Sequence, residues 1–274
     1  TRTDLNRILA YTTVSALGTL VLLIGTGTQY AINAMIIFLV VHALYKGPLF
    51  MMAGNIEKVS GTRDITRLGG LFPFMPRAAV IMGLALVSMA GIPPLLGFIG
   101  KELIYEAKVQ APNWRFLVIA ASFFTNVVMV FLSLRLWFDV FAGKSPGYVK
   151  SPHEPSTALV LGPFFLVLAS LVLGLYPTSI ATPLTSSAVL AVSPGIEAVK
   201  LKIWHGFNLI LLLSALTVLS GALAYRYRHR LIALAEKVNL RYFAREFSRM
   251  FTASIDRFLV FTKRQTGNIQ HGYH

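Results

Sequence analysis

Two ionisable side chains occur together inside an apolar stretch of this sequence. Lys46 and His42 are four residues apart, so they share one face of a helix. Pro48 follows closely, and because proline has no N–H, the Leu44 carbonyl would lose its helical partner. A lysine at the centre of a membrane helix costs about 2.5–3.5 kcal/mol, which favours a functional role. We interpret Lys46 and His42 as a candidate proton-transfer site; the alternative is that Lys46 extends to the membrane surface.

A second candidate site is the adjacent pair Lys101 and Glu102. Neighbouring residues do not face each other on a helix, so the two do not automatically form an ion pair, whereas Glu106 shares a face with Glu102. The surrounding apolar segment, residues 96–107, is too short to span a bilayer. Interrupted helices expose carbonyls and half-helix dipoles within the membrane, where transporters bind ions. The alternative is a re-entrant turn at the membrane surface whose charges reach water.

The composition shows what kind of protein must hold these charges. Hydrophobic residues make up 55% of the chain and charged residues 13%, compared with about 25% charged residues in soluble domains. The mean hydropathy is +0.65. Five runs of 19 or more residues contain no Asp, Glu, Lys or Arg. Since about 20 apolar residues cross a bilayer core, the sequence predicts an integral membrane protein.

The pattern predicts an all-α membrane protein with about six transmembrane helices. The predicted helices are 8–24, 30–53, 77–90, 115–141, 157–176 and 207–225. Residues 96–107 are placed as the first half of a discontinuous helix that is interrupted at 110–113 and continues as 115–141. We expect residues 1–226 to form a transmembrane helix bundle and residues 227–274 to form a basic tail.

The distribution of charge predicts the orientation. With six crossings, 18 of the 25 Lys and Arg residues fall on one side of the membrane, and only Lys200 and Lys202 lie in the loops on the other side. Because basic loops stay in the cytoplasm, both termini of this sequence are expected there, at the cell (inner) membrane.

The tail carries half of the net charge of +14. Lys237, Arg241, Arg245 and Arg249 recur every four residues with apolar residues between them, which predicts a basic amphipathic helix that binds lipid at the membrane surface. The alternative is ordinary basic sequence flanking a membrane helix. Nucleic acid is not an expected partner, because these residues adjoin a transmembrane helix.

Other residue types argue against covalent chemistry. The chain has no cysteine, which excludes disulfides, thiolate metal sites and cysteine nucleophiles. The sequence contains no phosphate-binding glycine loop, metal-spaced cluster or Ser-His-Asp set, so we expect no catalytic, cofactor-binding or metal-binding residues. His205 is interpreted as part of an interfacial aromatic segment, and Arg135 with Asp139 as a structural ion pair. These observations favour an ion transporter over an enzyme.

Several motifs resemble one superfamily over nearly the whole chain. The segments Thr3–Ser15, His42–Lys46 and Gly97–Glu102 are similar to the antiporter-like subunits of complex I and its relatives. Within that superfamily, three further segments resemble the A subunit of multisubunit (Mrp-type) monovalent cation/proton antiporters. They are Gly61–Asp64, Leu68–Gly70 and Trp204–Asn208.

The resemblance implies roles for the two candidate sites. Lys46 would be the buried lysine of a central hydrophilic axis, with His42 as its neighbour in a proton relay. Lys101 would be the lysine of the family's second broken helix, with Glu102 beside it. This chain has Phe38 where some relatives carry another histidine. It also lacks the family's earlier helices, including their Glu–Lys pair and first broken helix, so we expect a piece of a longer subunit or one part of a split subunit.

Three functions follow as hypotheses. The first is a proton-translocating membrane subunit of a multisubunit Na+/H+ antiporter, with other membrane subunits, protons, monovalent cations and lipid as partners. The second is the equivalent subunit of a complex I-type NADH:quinone oxidoreductase or a membrane-bound hydrogenase, which shares the membrane chemistry but differs in its partners. The third is a purely structural membrane scaffold, which predicts that Lys46 and Lys101 can be replaced by Leu without loss of function.

Overall fold

The structure is a computed structural model that describes residues 3–111, 114–143, 147–149, 152–195, 198–204, 206–237 and 249. These residues form helices and loops and contain no β-strand, which confirms the predicted all-α class. The α-helices are α1 (Leu5–Thr26), α2 (Gln29–Ser60), α3 (Pro76–Ala90), α4 (Leu96–Val109), α5 (Arg115–Phe141), α6 (Thr157–Leu175), α7 (Thr182–Val192), α8 (Leu209–Arg226) and α9 (Arg228–Lys237). Five of them, α1, α2, α5, α6 and α8, are long and apolar enough to cross a membrane.

Helix α2 is the centre of the bundle. It packs against α1, α3, α4, α6 and α7, and it continues through Pro48 to Ser60, seven residues beyond the predicted end. Thr28 caps its first turn by accepting a hydrogen bond from the Ala31 N–H at 3.2 Å, and Gly61 ends it in the left-handed conformation at φ 71°. Both candidate sites therefore border one long central helix.

The discontinuous crossing consists of α3 and α4. The indole N–H of Trp137 donates to the Ala79 carbonyl at 3.1 Å, and further back along α5 Ser122 accepts from Lys108. The chain from α3 through α4 therefore runs antiparallel to α5, which at 27 residues is a complete span by itself. The interruption lies at residues 91–95, not at 110–113 as the sequence analysis placed it.

The residues that follow α3 explain why the helix is interrupted here. Helix α3 ends at Gly91, whose φ of 66° is left-handed, and Pro93 and Pro94 follow without backbone donors. The number of crossings stays at six, since α3 and α4 together replace one predicted helix.

Small residues let the two half-helices approach their neighbours. A Cβ added to Gly97 at the start of α4 would lie 1.8 Å from the Ser88 carbonyl oxygen of α3. A Cβ on Gly174 of α6 would lie 2.2 Å from the Pro94 carbonyl oxygen. These glycines allow the interruption to be enclosed by protein, as irregular backbone at membrane depth requires.

The loop between α2 and α3 holds the beginning of α1. The Leu5 N–H donates to the Arg63 carbonyl at 2.9 Å, and the Ile65 N–H donates to the Thr3 carbonyl at 2.9 Å. Hydrogen bonds from the Thr66 hydroxyl and N–H hold the pKa of Asp64 below its usual range. The predicted motif of residues 61–64 thus fixes one end of the bundle.

The segment between α6 and α8 contains a helix that the sequence analysis treated as loop. A π-helical turn at Pro177–Ala181 leads into α7. Prolines are tolerated in a first helical turn, where the missing N–H has no helical acceptor, so Pro177 and Pro183 did not exclude a helix here. The Val199 N–H donates to the Asn33 Oδ1 at 3.0 Å, which ties this segment to the start of α2.

The chain divides into two compact units, Thr1–Arg226 and Tyr227–His274. In the second unit, α9 is a described helix of ten residues. Arg241 and Arg245 lie outside the described residues, so the basic amphipathic helix and the assignment of the tail to the membrane surface stay predictions.

Candidate functional site

The ammonium group of Lys46 is enclosed by α1. Lys46 is 5% exposed, and its Nζ donates to the Leu9 carbonyl at 2.8 Å and to the Thr12 hydroxyl. The Phe50 ring centroid lies 5.7 Å from the same nitrogen. Lys46 therefore points into the bundle and does not extend to the membrane surface, which was the alternative interpretation of this residue.

His42 contacts Tyr45. Its Nδ1 lies 3.0 Å from the Tyr45 hydroxyl, and the two rings meet edge to face with centroids 5.2 Å apart. Phe38, one turn earlier, has its ring centroid 6.0 Å from the imidazole. His42 shares the helix face of Lys46, as predicted, but its hydrogen-bonding partner is the tyrosine. Tyr45 was missed in the sequence analysis.

Lys101 lies at the carboxyl end of α3. Its Nζ is 3.5 Å from the carbonyl oxygen of Ala90, the last residue of that helix, and the side chain is 6% exposed. The final carbonyls of a helix carry its partial negative charge, so they favour an ammonium there. The carboxyl end of α3 thus stabilises a cation at the interruption.

Glu102 is buried beside Lys101 at 7% exposure, but it does not line the cavity that Lys101 faces. This agrees with the expectation that adjacent residues point to different sides of α4. Burial of both side chains argues against a surface turn whose charges reach water.

A cavity of about 360 Å³ lies among the helices that carry these residues. Polar side chains from α1, α2, α4 and α5 line it, among them Ser15, Thr19, Tyr45, Lys101, Lys108 and Ser122. The volume is many times the share of one water molecule in the liquid, about 30 Å³. Apolar side chains supply most of the remaining lining, but a space of this size with these polar groups can hold a hydrogen-bonded chain of water.

Lys46 and the cavity lie at successive levels of α1. Lys46 contacts Leu9 and Thr12, whereas the cavity is lined further along the same helix by Ser15 and Thr19. At 1.5 Å per residue, Ser15 lies about 4.5 Å beyond Thr12 along the axis. Tyr45 lies between the cavity and the region of Lys46. Its side chain lines the cavity, and its hydroxyl contacts His42, which is one turn before Lys46.

Lys108 is the second residue that the sequence analysis missed. It is 2% exposed, lines the same cavity as Lys101 and donates to the Ser122 hydroxyl. The spacing of seven residues, two helical turns, could have indicated that it shares a face with Lys101. Ser122 on α5 carries no comparable sequence signal.

Two residues named in the sequence analysis lie apart from the site. Arg135 and Asp139 form the predicted ion pair at 3.3 Å, and the Tyr225 hydroxyl donates to the same carboxylate at 3.1 Å. His205 lies outside the described residues. In the part of the chain that the structure describes, no group of three or more His, Cys, Asp or Glu side chains is arranged to hold a metal.

This arrangement of helices and buried charges can be compared with known protein families. Residues 1–128 match the family described as NADH:quinone oxidoreductase/Mrp antiporter, transmembrane. The chain is similar to this family through those residues, and its long apolar helices indicate an integral membrane protein.

The chain is also similar to antiporter A subunits. It is 37% identical over 237 residues to the A/B subunit of a probable K+/H+ antiporter of Rhizobium meliloti, a match that covers 85% of this chain and 24% of that protein. It is 32% identical over 252 residues to the A subunit of a Na+/H+ antiporter of Alkalihalophilus pseudofirmus, with 81% of this chain and 31% of the relative covered. The chain thus spans about a quarter to a third of these relatives, which agrees with the expected piece of a longer subunit.

Two solved structures are also similar to this chain. A chain of the Mrp complex from Dietzia sp. DQ12-45-1b superposes with a TM-score of 0.77 at 32% identity, covering 87% of this chain and 26% of that one. A chain of the membrane-bound sulfane sulfur reductase, an archaeal respiratory membrane complex, superposes with a TM-score of 0.63 at 28% identity, covering 81% and 36%.

Proposed function

We propose that this chain forms part of a proton-translocating membrane subunit in a multisubunit monovalent cation/proton antiporter. The observation that carries the proposal is the buried Lys101 at an interrupted helix, facing a cavity that hydroxyl groups and a second lysine also line. The similarity to antiporter A subunits supports it. Na+ is the expected cation, and the relatives' names include both K+/H+ and Na+/H+ antiporters.

In this proposal the proton moves between basic groups through hydroxyls and water. Lys46 holds a proton between the Leu9 carbonyl and the Thr12 hydroxyl, and His42 exchanges it with the cavity through Tyr45. Lysine ammonium, imidazole and hydroxyl groups can each donate a proton in a hydrogen bond and accept one after losing it.

At the cavity, Lys101 receives the proton. The carboxyl end of α3 stabilises its charged form, and Glu102 supplies a negative charge on the other side of α4. This part of the protein then acts by moving protons, without covalent chemistry of its own.

The charge of the cavity favours protons over metal cations. Its lining, within the described residues, includes two lysines and no carboxylate. A monovalent metal cation would meet two ammonium groups there and no anionic ligand, which electrostatic repulsion opposes. We therefore place the route of the exchanged cation elsewhere in the complex.

The proposal includes an orientation and partners. Both ends of this sequence face the cytoplasm, since most of the loop Lys and Arg residues then lie inside. The partners are the other membrane subunits of the antiporter complex, protons, monovalent cations and lipid.

The test is proton exchange driven by added cation in everted membrane vesicles that contain the complete complex. We expect Lys46→Leu and Lys101→Leu to lose exchange by roughly a hundredfold or more, as removal of a proton-transfer group does. Lys202→Leu, at an exposed loop position, is the matched control. Native exchange by both buried-site variants at native assembly would instead support a structural scaffold.

The structural similarity to the membrane-bound sulfane sulfur reductase favours a second function. The superposition on a chain of an archaeal respiratory membrane complex is compatible with a redox-driven proton pump of the complex I or hydrogenase type. Purification of the complex distinguishes the two: iron–sulfur or flavin absorbance that changes on reduction would support the redox-driven pump and contradict the antiporter.

A further inference from the structure

Lys108 is a buried cation without an assigned role. It is less exposed than Lys46 or Lys101, at 2%, although it occupies the last turn of α4. Burial of an ammonium group is unfavourable unless hydrogen bonds or charges compensate it. Within the described residues its hydrogen-bonding partner is one hydroxyl, Ser122, so structural stabilisation alone gives a weak reason for a lysine at this position.

The position of Lys108 relates it to Lys101. Both side chains line the same cavity, and they lie two turns apart on α4, about 10 Å along its axis. The interruption beside Lys101 lies at one end of this stretch of α4, and Lys108 lies at the other, next to Val109 where the helix ends. The cavity therefore connects one lysine near the interruption with another near the helix terminus.

Ser122, the hydrogen-bonding partner of Lys108, can bind the lysine in either of its protonation states. The Ser122 hydroxyl donates to the Val118 carbonyl at 2.6 Å, which leaves its oxygen free to accept from the ammonium. If Lys108 loses its proton, the hydroxyl can rotate and donate to the neutral amine, because a serine hydroxyl is both donor and acceptor. A carboxylate partner would instead stabilise only the charged form.

We propose that Lys108 is a second proton-exchanging lysine, in series with Lys101 across the cavity. Lys101 releases a proton to cavity water, and the neutral amine of Lys108 accepts it beside Ser122. The ammonium of Lys108 then releases the proton toward the end of α4. Because like charges in one cavity repel, protonation of either lysine favours release from the other. This inference rests on the proposed proton-translocating function.

The first experiment compares three substitutions of Lys108 in the complete complex, in everted vesicles at matched assembly. Lys108→Gln removes the exchangeable proton and Lys108→Arg retains a charge that cannot be released. We expect both to slow cation-driven proton exchange by roughly tenfold or more, with partial recovery in Lys108→His, which can exchange a proton. Lys58→Gln and Lys58→Arg are the matched controls, because Lys58 is exposed in the last turn of α2.

The second experiment leaves Lys108 in place, in case its variants fail to assemble. Ser122→Asp places a fixed carboxylate beside the ammonium and should hinder proton release, whereas Ser122→Asn has the same size without the charge. We expect Ser122→Asp to slow exchange roughly tenfold relative to Ser122→Asn.

Two results would overturn the inference: native exchange by Lys108→Gln or Lys108→Arg, or equal exchange by the two Ser122 variants. If Lys101→Leu abolishes exchange while Lys108 variants retain it, only the role of Lys108 fails. If Lys46→Leu and Lys101→Leu also retain exchange, the proposed function itself fails.

Discussion

The side chain of Lys101 lies directly against Gly91. A Cβ added to Gly91 would be 2.8 Å from Cδ and 2.9 Å from Cε of Lys101, closer than carbon atoms pack. Gly91 also has a left-handed φ of 66° and ends α3 with its N–H bonded to the Ser88 carbonyl at 3.0 Å. One glycine therefore both ends the half-helix and leaves room for the lysine that reaches its last carbonyl.

This relationship predicts the effect of Gly91→Ala. The left-handed conformation costs an alanine about 1–2 kcal/mol, and the new methyl group displaces Lys101 from the Ala90 carbonyl. We expect lower thermal stability of the purified complex together with slower proton exchange. Gly25→Ala in α1 is the control, because Gly25 is exposed and no atom lies within 4 Å of its added Cβ. Equal behaviour of the two variants would contradict the proposed placement of Lys101.

The hydrogen bond between Lys46 and Thr12 leads to a second prediction. Thr12→Val removes the hydroxyl and leaves the ammonium with the Leu9 carbonyl as its acceptor. Loss of a buried partner costs about 1–3 kcal/mol, so we expect weaker assembly or slower exchange. The control is Thr13→Val, since the Thr13 hydroxyl bonds the same carbonyl at 3.2 Å without contacting Lys46. A Thr13 variant as impaired as the Thr12 variant would indicate a general effect on α1.

Tyr45 is predicted to connect His42 with the cavity. Tyr45→Phe keeps the ring and removes the hydroxyl that lies 3.0 Å from His42 Nδ1. We expect exchange to fall roughly tenfold or more at native assembly, because the relay loses a donor and acceptor. The control is Tyr148→Phe: Tyr148 is exposed, and its ring contact with Arg67 remains in the variant. Native exchange in Tyr45→Phe would remove the tyrosine from the route.

The orientation is testable with single cysteines, since the chain has none. We expect Lys58→Cys, at the end of α2, to react with an impermeant reagent added from the cytoplasmic side, and Ser186→Cys in α7 to react only from the opposite side. The predicted six crossings and the distribution of basic residues in the loops favour this arrangement. Labelling of Ser186→Cys from the cytoplasmic side alone would reverse the predicted orientation.

Much of the fold could be predicted because membrane helices are long, apolar and separated by charged loops. The predicted starts of α5 and α6 agree with the structure. The interruption was placed wrongly because the predicted helix 77–90 was counted as a complete span, although α3 has only 15 residues, too few to cross a bilayer core. The short length of the predicted helix was the better indicator that it does not cross the bilayer alone.

The candidate site was less predictable than the helices. Lys46, His42, Lys101 and Glu102 were found because ionisable residues in apolar sequence are few, and their roles stay predictions. Lys108 lies near a predicted loop, where a lysine normally reaches water, so its burial depends on α5 folding back beside α4. Thr12 and Tyr45 are ordinary residues of membrane helices, and only the packing of α1 and α2 gives them polar partners.

The measurement that tests the central claim most directly is proton exchange by Lys101→Arg. Arginine keeps the positive charge at the end of α3 but is not deprotonated in proteins, so it preserves electrostatics and removes proton release. Cation-driven exchange is measured in everted vesicles with the complete complex, beside Lys101→Ala and at matched assembly. The proposed relay predicts that Lys101→Arg is impaired nearly as severely as Lys101→Ala. Near-native exchange by Lys101→Arg would show that Lys101 is a fixed charge and would contradict its role in proton transfer.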